Sequence, residues 1–331
     1  MKLARDTQSR GSLPVFGEVL ADALPWIKEA TGKTIVIKYG GSAMNDPALC
    51  SQVMSDVVLL KIIGINLVIV HGGGKDISAA MERADIPVEF KDGQRVTTPA
   101  AMDIVRSVMV GTVNQNLVRE INRHGNLAVG VSGCDGGTLI ADQVCEELGR
   151  VGHITAVNTE YLNAIIENDF IPVIAGVALG EDGGYFNINA DVAASAIAGA
   201  IGAHKLIYLT DVDGLYTNFE DKTSLISNIT RDEAHRIIDE KRISSGMIPK
   251  LKSCVAAIDS GVLRAHIING TTPHALLIEL LTSSGVGTVI HRTKESYIND
   301  MHPIGGFAEK LSENRVLRQA EGSQISIDID L

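Results

Sequence analysis

The stretch Ile35-Val36-Ile37-Lys38-Tyr39-Gly40-Gly41, answered further along by Leu67-Val68-Ile69-Val70-His71-Gly72-Gly73-Gly74, decides the fold. Each is a short apolar run without alternation, the pattern of a strand covered on both faces, as parallel strands are in α/β proteins. Each ends in glycines. A strand that stops in glycines and feeds a helix exposes consecutive backbone N–H groups beside the positive end of the helix dipole, where an anion is held without any charged side chain. Strand, glycine turn and helix occurring twice predict an α/β protein that handles phosphate, one turn serving a polyphosphate and the other the site of transfer.

Two lysines extend this reading. Lys38 closes the first strand, and Lys250 stands in Ser245-Gly246-Met247-Ile248-Pro249-Lys250. Brought together, their ammonium groups would stabilise a phosphoryl group in transit, a reaction that depends above all on positioning and charge. A lysine at a strand end is by default a solvated side chain. Lys38, however, precedes paired glycines at the strand end where open α/β sheets bind ligands. Lys250 alone would be an ordinary helix-surface residue.

The bulk composition narrows the partners. The chain has 331 residues, 45% of them hydrophobic and 4% aromatic, with a net charge of −11. That suits a buried sheet, and it disfavours nucleic acid, which needs cationic faces and stacking platforms. Cys50, Cys134, Cys145 and Cys254 show no ligand spacing, so neither a disulfide framework nor a metal site is expected. The N-terminal residues contain no apolar core of signal-peptide length, and Lys61, Gly64 and Asn66 interrupt the most apolar stretch. A cytoplasmic protein without membrane attachment is expected.

Along the chain, residues 12–30 read as a helix ahead of the sheet, with Pro25 as a kink. Strand 34–38 follows, then a helix capped by Asp46-Pro47 and ending near Gly64, strand 67–71, and a helix ending at Asp85-Ile86-Pro87. Further on, the pattern predicts one helix near 99–124, a hairpin-like segment from Val129 to Ile154, and strand 171–175. An Ala-rich helix runs to Ala200, with Asp191 as its default cap, and strand 205–210 leads into Asp211-Val212-Asp213-Gly214-Leu215-Tyr216. Helices then flank Gly246, followed by strand 265–268, a helix from Pro273 to Leu281 and a last strand near 288–291. The tail 292–331, with alternating Ile325, Ile327 and Ile329, suits an edge strand, a docked arm or a loose end equally.

Two tempting motifs fail. Thr31-Gly32-Lys33-Thr34 has Ile27 where a P-loop needs its first glycine, and it precedes the strand. The turn Gly72-Gly73-Gly74 has Ile77 where a dinucleotide fingerprint needs its third glycine.

The ordered set Ile37-Lys38-Tyr39-Gly40-Gly41-Ser42-Ala43-Met44, Val70-His71-Gly72-Gly73-Gly74, Gly93-Gln94-Arg95-Val96-Thr97, Asn187-Ile188-Asn189-Ala190-Asp191 and Gly246-Met247-Ile248-Pro249-Lys250 resembles the acetylglutamate kinase family across roughly residues 13–291. The resemblance implies the amino acid kinase fold, an αβα sandwich around a mainly parallel sheet, here with an added N-terminal helix. It implies transfer of a phosphoryl group from ATP, its Mg2+ carried mainly on the nucleotide, to the γ-carboxylate of N-acetyl-L-glutamate in arginine biosynthesis. Lys38, Lys250 and Asp191 would be catalytic, with Asp191 holding the two lysines. Gly73, Gly74, Arg95 and Asn187 would bind the acceptor. Gly40, Gly41, Asp211, Val212, Gly214, Leu215, Tyr216 and Ser244 would bind the nucleotide. His71 stays outside the catalytic set, a hydrogen bond under the turn being its competing role.

The resemblance also implies a division into an N-terminal helical extension (1–32), an acceptor lobe (33–203), an ATP lobe (204–291) and the tail 292–331. Ala23-Leu24-Pro25-Trp26 is similar to the extension of arginine-inhibited members, which assemble as hexamers, trimers of dimers. Trp26, His266, Glu279 and Gly285 would then contact arginine, with Glu279 paired to its guanidinium. Cys134 departs from the pattern, where a lysine is expected. An acetylaminoadipate kinase of the same fold and a non-catalytic arginine sensor are the competing readings.

Overall fold

The computed structural model describes residues 13–293 except 45, 241, 245 and 284, and the side chains of its first helix from Val19 onward. Helix α1 (Leu13–Ala30) leads to strand β1 (Thr34–Tyr39), helix α2 (Pro47–Ile62), strand β2 (Asn66–His71) and helix α3 (Gly74–Arg83). A short hairpin follows, β3 (Phe90–Lys91) and β4 (Gln94–Arg95), then α4 (Pro99–Arg106), a π-helical segment (Ser107–Asn114) and α5 (Gln115–Asn122). Strands β5 (Ala128–Ser132), β6 (Leu139–Gln143) and β7 (Gly152–Val157) precede α6 (Glu160–Glu167), β8 (Ile171–Ala175), β9 (Val177–Leu179), β10 (Tyr185–Asn187) and α7 (Ala190–Ala200). Next come β11 (Lys205–Thr210), β12 (Leu215–Tyr216), β13 (Leu225–Ile226), β14 (Asn228–Thr230) and α8 (Arg231–Asp239). The described chain closes with α9 (Ile248–Asp259), β15 (Arg264–Asn269), α10 (Ala275–Leu281) and β16 (Thr288–His291).

One sheet organises all of this, in the order β14-β16-β15-β11-β1-β2-β8-β5. Its pairings are parallel except β15 with β16. Alternate side chains go to opposite layers. Ile35, Ile37 and Tyr39 join a core shared with α2, α5 and α10, whereas Val36 joins one shared with α7 and α9. The two cores on two faces make an αβα sandwich. Lys38 has the parity of Val36, so its side chain is delivered to the α7/α9 layer.

Local chemistry sets the element ends. The Asp46 side chain accepts from the N–H groups of Ala48 (2.8 Å) and Leu49 (3.2 Å), and Pro47 occupies the first position, so α2 starts where expected. Helix α1 runs on through Pro25 and packs on α10.

Several expectations need correction. The helix anticipated over 99–124 is interrupted by the π-helical segment. The hairpin-like segment from Val129 is two things: β5 is the edge of the main sheet, and only β6 and β7 form the antiparallel pair, within a second sheet ordered β10-β9-β6-β7. Helix α7 is capped by Asn189, whose side chain accepts from the N–H groups of Asp191 (2.8 Å) and Val192 (3.4 Å), which releases Asp191 from that duty. Helix α10 starts at Ala275, because His274 adopts a left-handed φ of 57°. The expectations for residues 294–331 lie outside the described residues.

Candidate functional site

Parallel register places three turns side by side. Lys38 pairs with Val70 of β2 on one side and with Tyr208 of β11 on the other. Gly40-Gly41, Gly72-Gly73-Gly74 and Asp211 therefore leave the sheet from adjacent strands at one edge, the carboxyl edge where such sheets bind ligands.

Lys38 emerges there at 8% exposure. Its Nζ lies 3.0 Å from Oδ1 of Asp191, and Nζ of Lys250, from the first turn of α9, donates to Oδ2 at 2.8 Å. Burial pushes the Lys38 ammonium below the ordinary lysine value, and the nearby Lys250 adds to this while Asp191 opposes it. Burial alone would raise the Asp191 carboxyl, but the two ammonium groups outweigh it and hold it below the usual aspartate range. Two cations on one carboxylate leave one positive charge in surplus in a poorly solvated place, an arrangement suited to a multiply charged anion.

A cavity of about 240 Å³ opens beside this bridge, lined by Lys38, Asp191, Gly73, Gly74, Arg95 and Asn187 among others. Arg95 at the end of β4 donates through Nη2 to the Gly74 carbonyl (2.8 Å) and to Ser78 Oγ (2.8 Å), and its guanidinium lies 4.7 Å from the centre of the Phe90 ring. Asn187 donates to Thr97 Oγ1 at 3.2 Å. A Cβ on Gly73 would stand 2.7 Å from Met109 Sδ, so a side chain there would have to displace that methionine; one on Gly74 would meet nothing within 4 Å.

On the other side of β1, Asp211 Oδ1 accepts from both the N–H (2.6 Å) and the hydroxyl (2.7 Å) of Ser42. Gly41 has φ +81°, and a Cβ there would run into the Asp211 carboxylate. Asp211 thus clamps the Gly40-Gly41 turn. Leu215 and Tyr216 are buried in the β12/β13 hairpin, the Leu215 N–H donating to Thr288 Oγ1 (2.8 Å), and a Cβ on Gly214 would also meet Thr288. Val212 N–H donates to Thr210 Oγ1 (3.0 Å). Ser244 is exposed ahead of α9, its carbonyl accepting from Met247 N–H.

Trp26, His266, Glu279 and Gly285, distant in sequence, line a second cavity of about 290 Å³ together with Lys205 and Arg264. The Glu279 carboxylate is already engaged, by His266 Nδ1 at 2.7 Å and by the Val286 N–H at 2.7 Å. Its neighbours hold it below the ordinary glutamate value, although burial works the other way. Glu29 of α1 reaches Arg264 at 3.3 Å and His204 at 3.5 Å, and these partners, His204 foremost, lower its carboxyl to about 2.

Sequence reasoning missed Ser42, Met109, Asn114 and the β3/β4 hairpin that carries Arg95. The hairpin had a signal: Asp92-Gly93 is a two-residue turn pair, and both residues have the positive φ (50° and 77°) that such a turn requires. Among the described residues, no helix is long and apolar enough to cross a membrane, and no group of three or more His, Cys, Asp or Glu can hold a metal ion.

The model of the amino acid kinase family matches residues 33–269. The acetylglutamate kinase of Caldanaerobacter subterraneus is 50% identical over 284 residues, 85% of this chain and 94% of the relative. That of Petrotoga mobilis is 47% identical over 285 residues, 86% and 95% respectively. Among solved structures, the N-acetylglutamate synthase of Neisseria gonorrhoeae complexed with coenzyme A and N-acetyl-glutamate is similar with a TM-score of 0.75 at 24% identity, a likeness of fold. That match covers 84% of this chain, which spans 64% of the synthase.

Proposed function

The chain belongs to the acetylglutamate kinase branch of the amino acid kinase family, and from that premise we propose how its site works. It phosphorylates the γ-carboxylate of N-acetyl-L-glutamate at the expense of ATP, giving N-acetyl-L-glutamyl 5-phosphate. The observation that carries the mechanism is the Lys38-Asp191-Lys250 bridge at the mouth of a cavity whose other wall holds Arg95.

A γ-carboxylate has an ordinary pKa of about 4.3, so the nucleophile is ionised at neutral pH and needs no general base. One of its oxygens forms a bond to the γ-phosphorus while the bond from that phosphorus to the bridging oxygen of ADP breaks, and the electron pair leaves with ADP. The obstacle is electrostatic: each pair of unit charges ~4 Å apart costs about 4 kcal/mol at the effective dielectric of a protein surface. Lys38 and Lys250 offset that repulsion, and Asp191 keeps both amines on station. The N–H groups of Gly73 and Gly74, at the start of α3, receive the acceptor's γ-carboxylate, Arg95 grips its α-carboxylate and Asn187 its neighbouring polar atoms. Gly40 and Gly41 cradle the phosphates, and Asp211 to Tyr216 with Ser244 form the nucleotide wall. Mg2+ would be carried on the nucleotide oxygens, where it would screen their charge.

In this reading residues 33–203 serve the acceptor and 204–291 the nucleotide, although a single sheet runs through both. The second cavity takes arginine as feedback inhibitor, which its mixed lining of Glu279 and cations supports. Helix α1 leaves Val19, Leu20 and Leu24 exposed, in keeping with a hexamer assembled through it in the cytosol. A coupled ADP-release assay tests all this: turnover with N-acetyl-L-glutamate, suppressed by arginine, is expected. Preference for acetylaminoadipate, or arginine binding without turnover, would overturn the assignment.

A further inference from the structure

The π-helical segment Ser107–Asn114 interrupts a long helix directly beneath the acceptor turn. In an α-helix, residues i and i+5 point about 140° apart, whereas the i→i+5 repeat of a π-helix brings them onto one side. Met109 and Asn114 are such a pair, 3% and 1% exposed: Met109 lies against the glycine turn that follows β2, and Asn114 against His71, the last residue of that strand.

Met109 and Val113 set one boundary of that turn. A Cβ on Gly73 would stand 2.7 Å from Met109 Sδ and 3.3 Å from Val113 Cγ2, so the backbone lies directly against them. Asn114 acts on the same turn through a polar chain. Its Nδ2 donates to the Val173 carbonyl at 2.7 Å and lies 3.1 Å from His71 Nε2, with the Val131 carbonyl at 3.4 Å. His71 is fully buried, and its Nδ1 lies 2.9 Å from the Gly72 carbonyl.

These contacts fix the tautomer of His71. The Val173 carbonyl can only accept, so the nitrogen end of the Asn114 amide faces it, and the same nitrogen faces His71. Nε2 must then accept, the ring proton sits on Nδ1, and Nδ1–H donates to the Gly72 oxygen. The opposite tautomer would set donor against donor at Asn114 and lone pair against lone pair at Gly72. Burial, which lowers the His71 pKa to about 4, keeps the ring neutral throughout the working range.

We propose that Asn114 is a positioning residue for the phosphoryl transfer, holding the Gly72-Gly73-Gly74 turn in its binding shape through His71. This rests on the reading of that turn as the acceptor site. A residue filling the core would affect stability alone. A residue that orients the turn affects the acceptor and leaves the nucleotide untouched.

The test compares wild type with Asn114→Ala, His71→Ala and His71→Asn, whose amide replaces the Nδ1–H donor to Gly72. The two alanine variants should raise KM for N-acetyl-L-glutamate about tenfold and lower kcat, with KM for ATP unchanged, and His71→Asn, which keeps the bond to Gly72 but is too short to reach Asn114, should recover only part of the loss. An unchanged acceptor KM in a folded alanine variant, or equal losses for both substrates, would overturn the proposal. Histidine 15N chemical shifts of the wild type supply the measurement that needs no variant: His71 should appear as the neutral Nδ1–H tautomer, and an Nε2–H ring would refute the chain of bonds. A wild type idle on N-acetyl-L-glutamate would sink the parent reading instead, and the ring tautomer then decides this one.

Discussion

Asp191 is the residue on which the charges of the site converge. Replacing it with asparagine leaves two ammonium groups facing each other in a place where Lys38 is 8% exposed. Removing one partner of a buried pair costs about 3–5 kcal/mol, so Asp191→Asn should lower the melting temperature as well as turnover. Lys250→Ala should instead cut kcat about 100-fold or more with the fold intact, because its side chain is a quarter exposed and its loss leaves Asp191 paired with Lys38. Arg95→Ala should raise the acceptor KM with little effect on ATP; steady-state kinetics with each substrate varied in turn checks both. Of the site residues, Lys38 was legible from its place before paired glycines at a strand end, whereas Lys250, Asp191 and Arg95 carried no local signature and entered only through the family resemblance of their motifs. Ser42 and Asn114 were not legible at all, since their partners, Asp211 and His71, are remote in sequence and only the sheet order brings them close.

At the scale of elements, β1, β2, β8, β11, β15 and β16 of the main sheet were read within a residue or two, because buried strands and their breakers announce themselves locally, whereas the short outer strands were not. The π-helical segment was not. Its sequence keeps helical spacing, and the extra residue per turn shows only in what it touches. Gly41 joins both levels: a φ of +81° together with the Asp211 carboxylate leaves no room for a methyl. Gly41→Ala should therefore weaken ATP binding more than acceptor binding, measured by titration calorimetry. Helix α1 is tied to the sheet by Glu29, whose partners His204 and Arg264 lie on the chain beyond α7. Deleting residues 1–30 should lower the solution mass and blunt inhibition by arginine; an unchanged mass in light scattering would contradict the assembly proposed for this helix.

For the molecule as a whole, acid is the informative perturbant. His71 holds a folded pKa of about 4 against an ordinary 6.5, so between those values the unfolded chain binds a proton that the folded chain refuses. Stability is then full above pH 6.5 and falls as pH drops toward 4, by about 3 kcal/mol for this one group. Glu29 adds a second window with the same sign, present above 4.5 and lost toward 2. Thermal melts at pH 7 and pH 5 should show the first loss, and His71→Asn should flatten it.

Strand β1 lies between β2, which leads into the turn proposed for the acceptor, and β11, which leads into the loop proposed for the nucleotide. Lys38 accordingly stands on the seam between the two proposed binding regions. As the middle strand, β1 is held by ladder bonds on both sides, like a rivet through two plates, so the Lys38 amine is the best anchored of the groups that the proposed site brings to two anions.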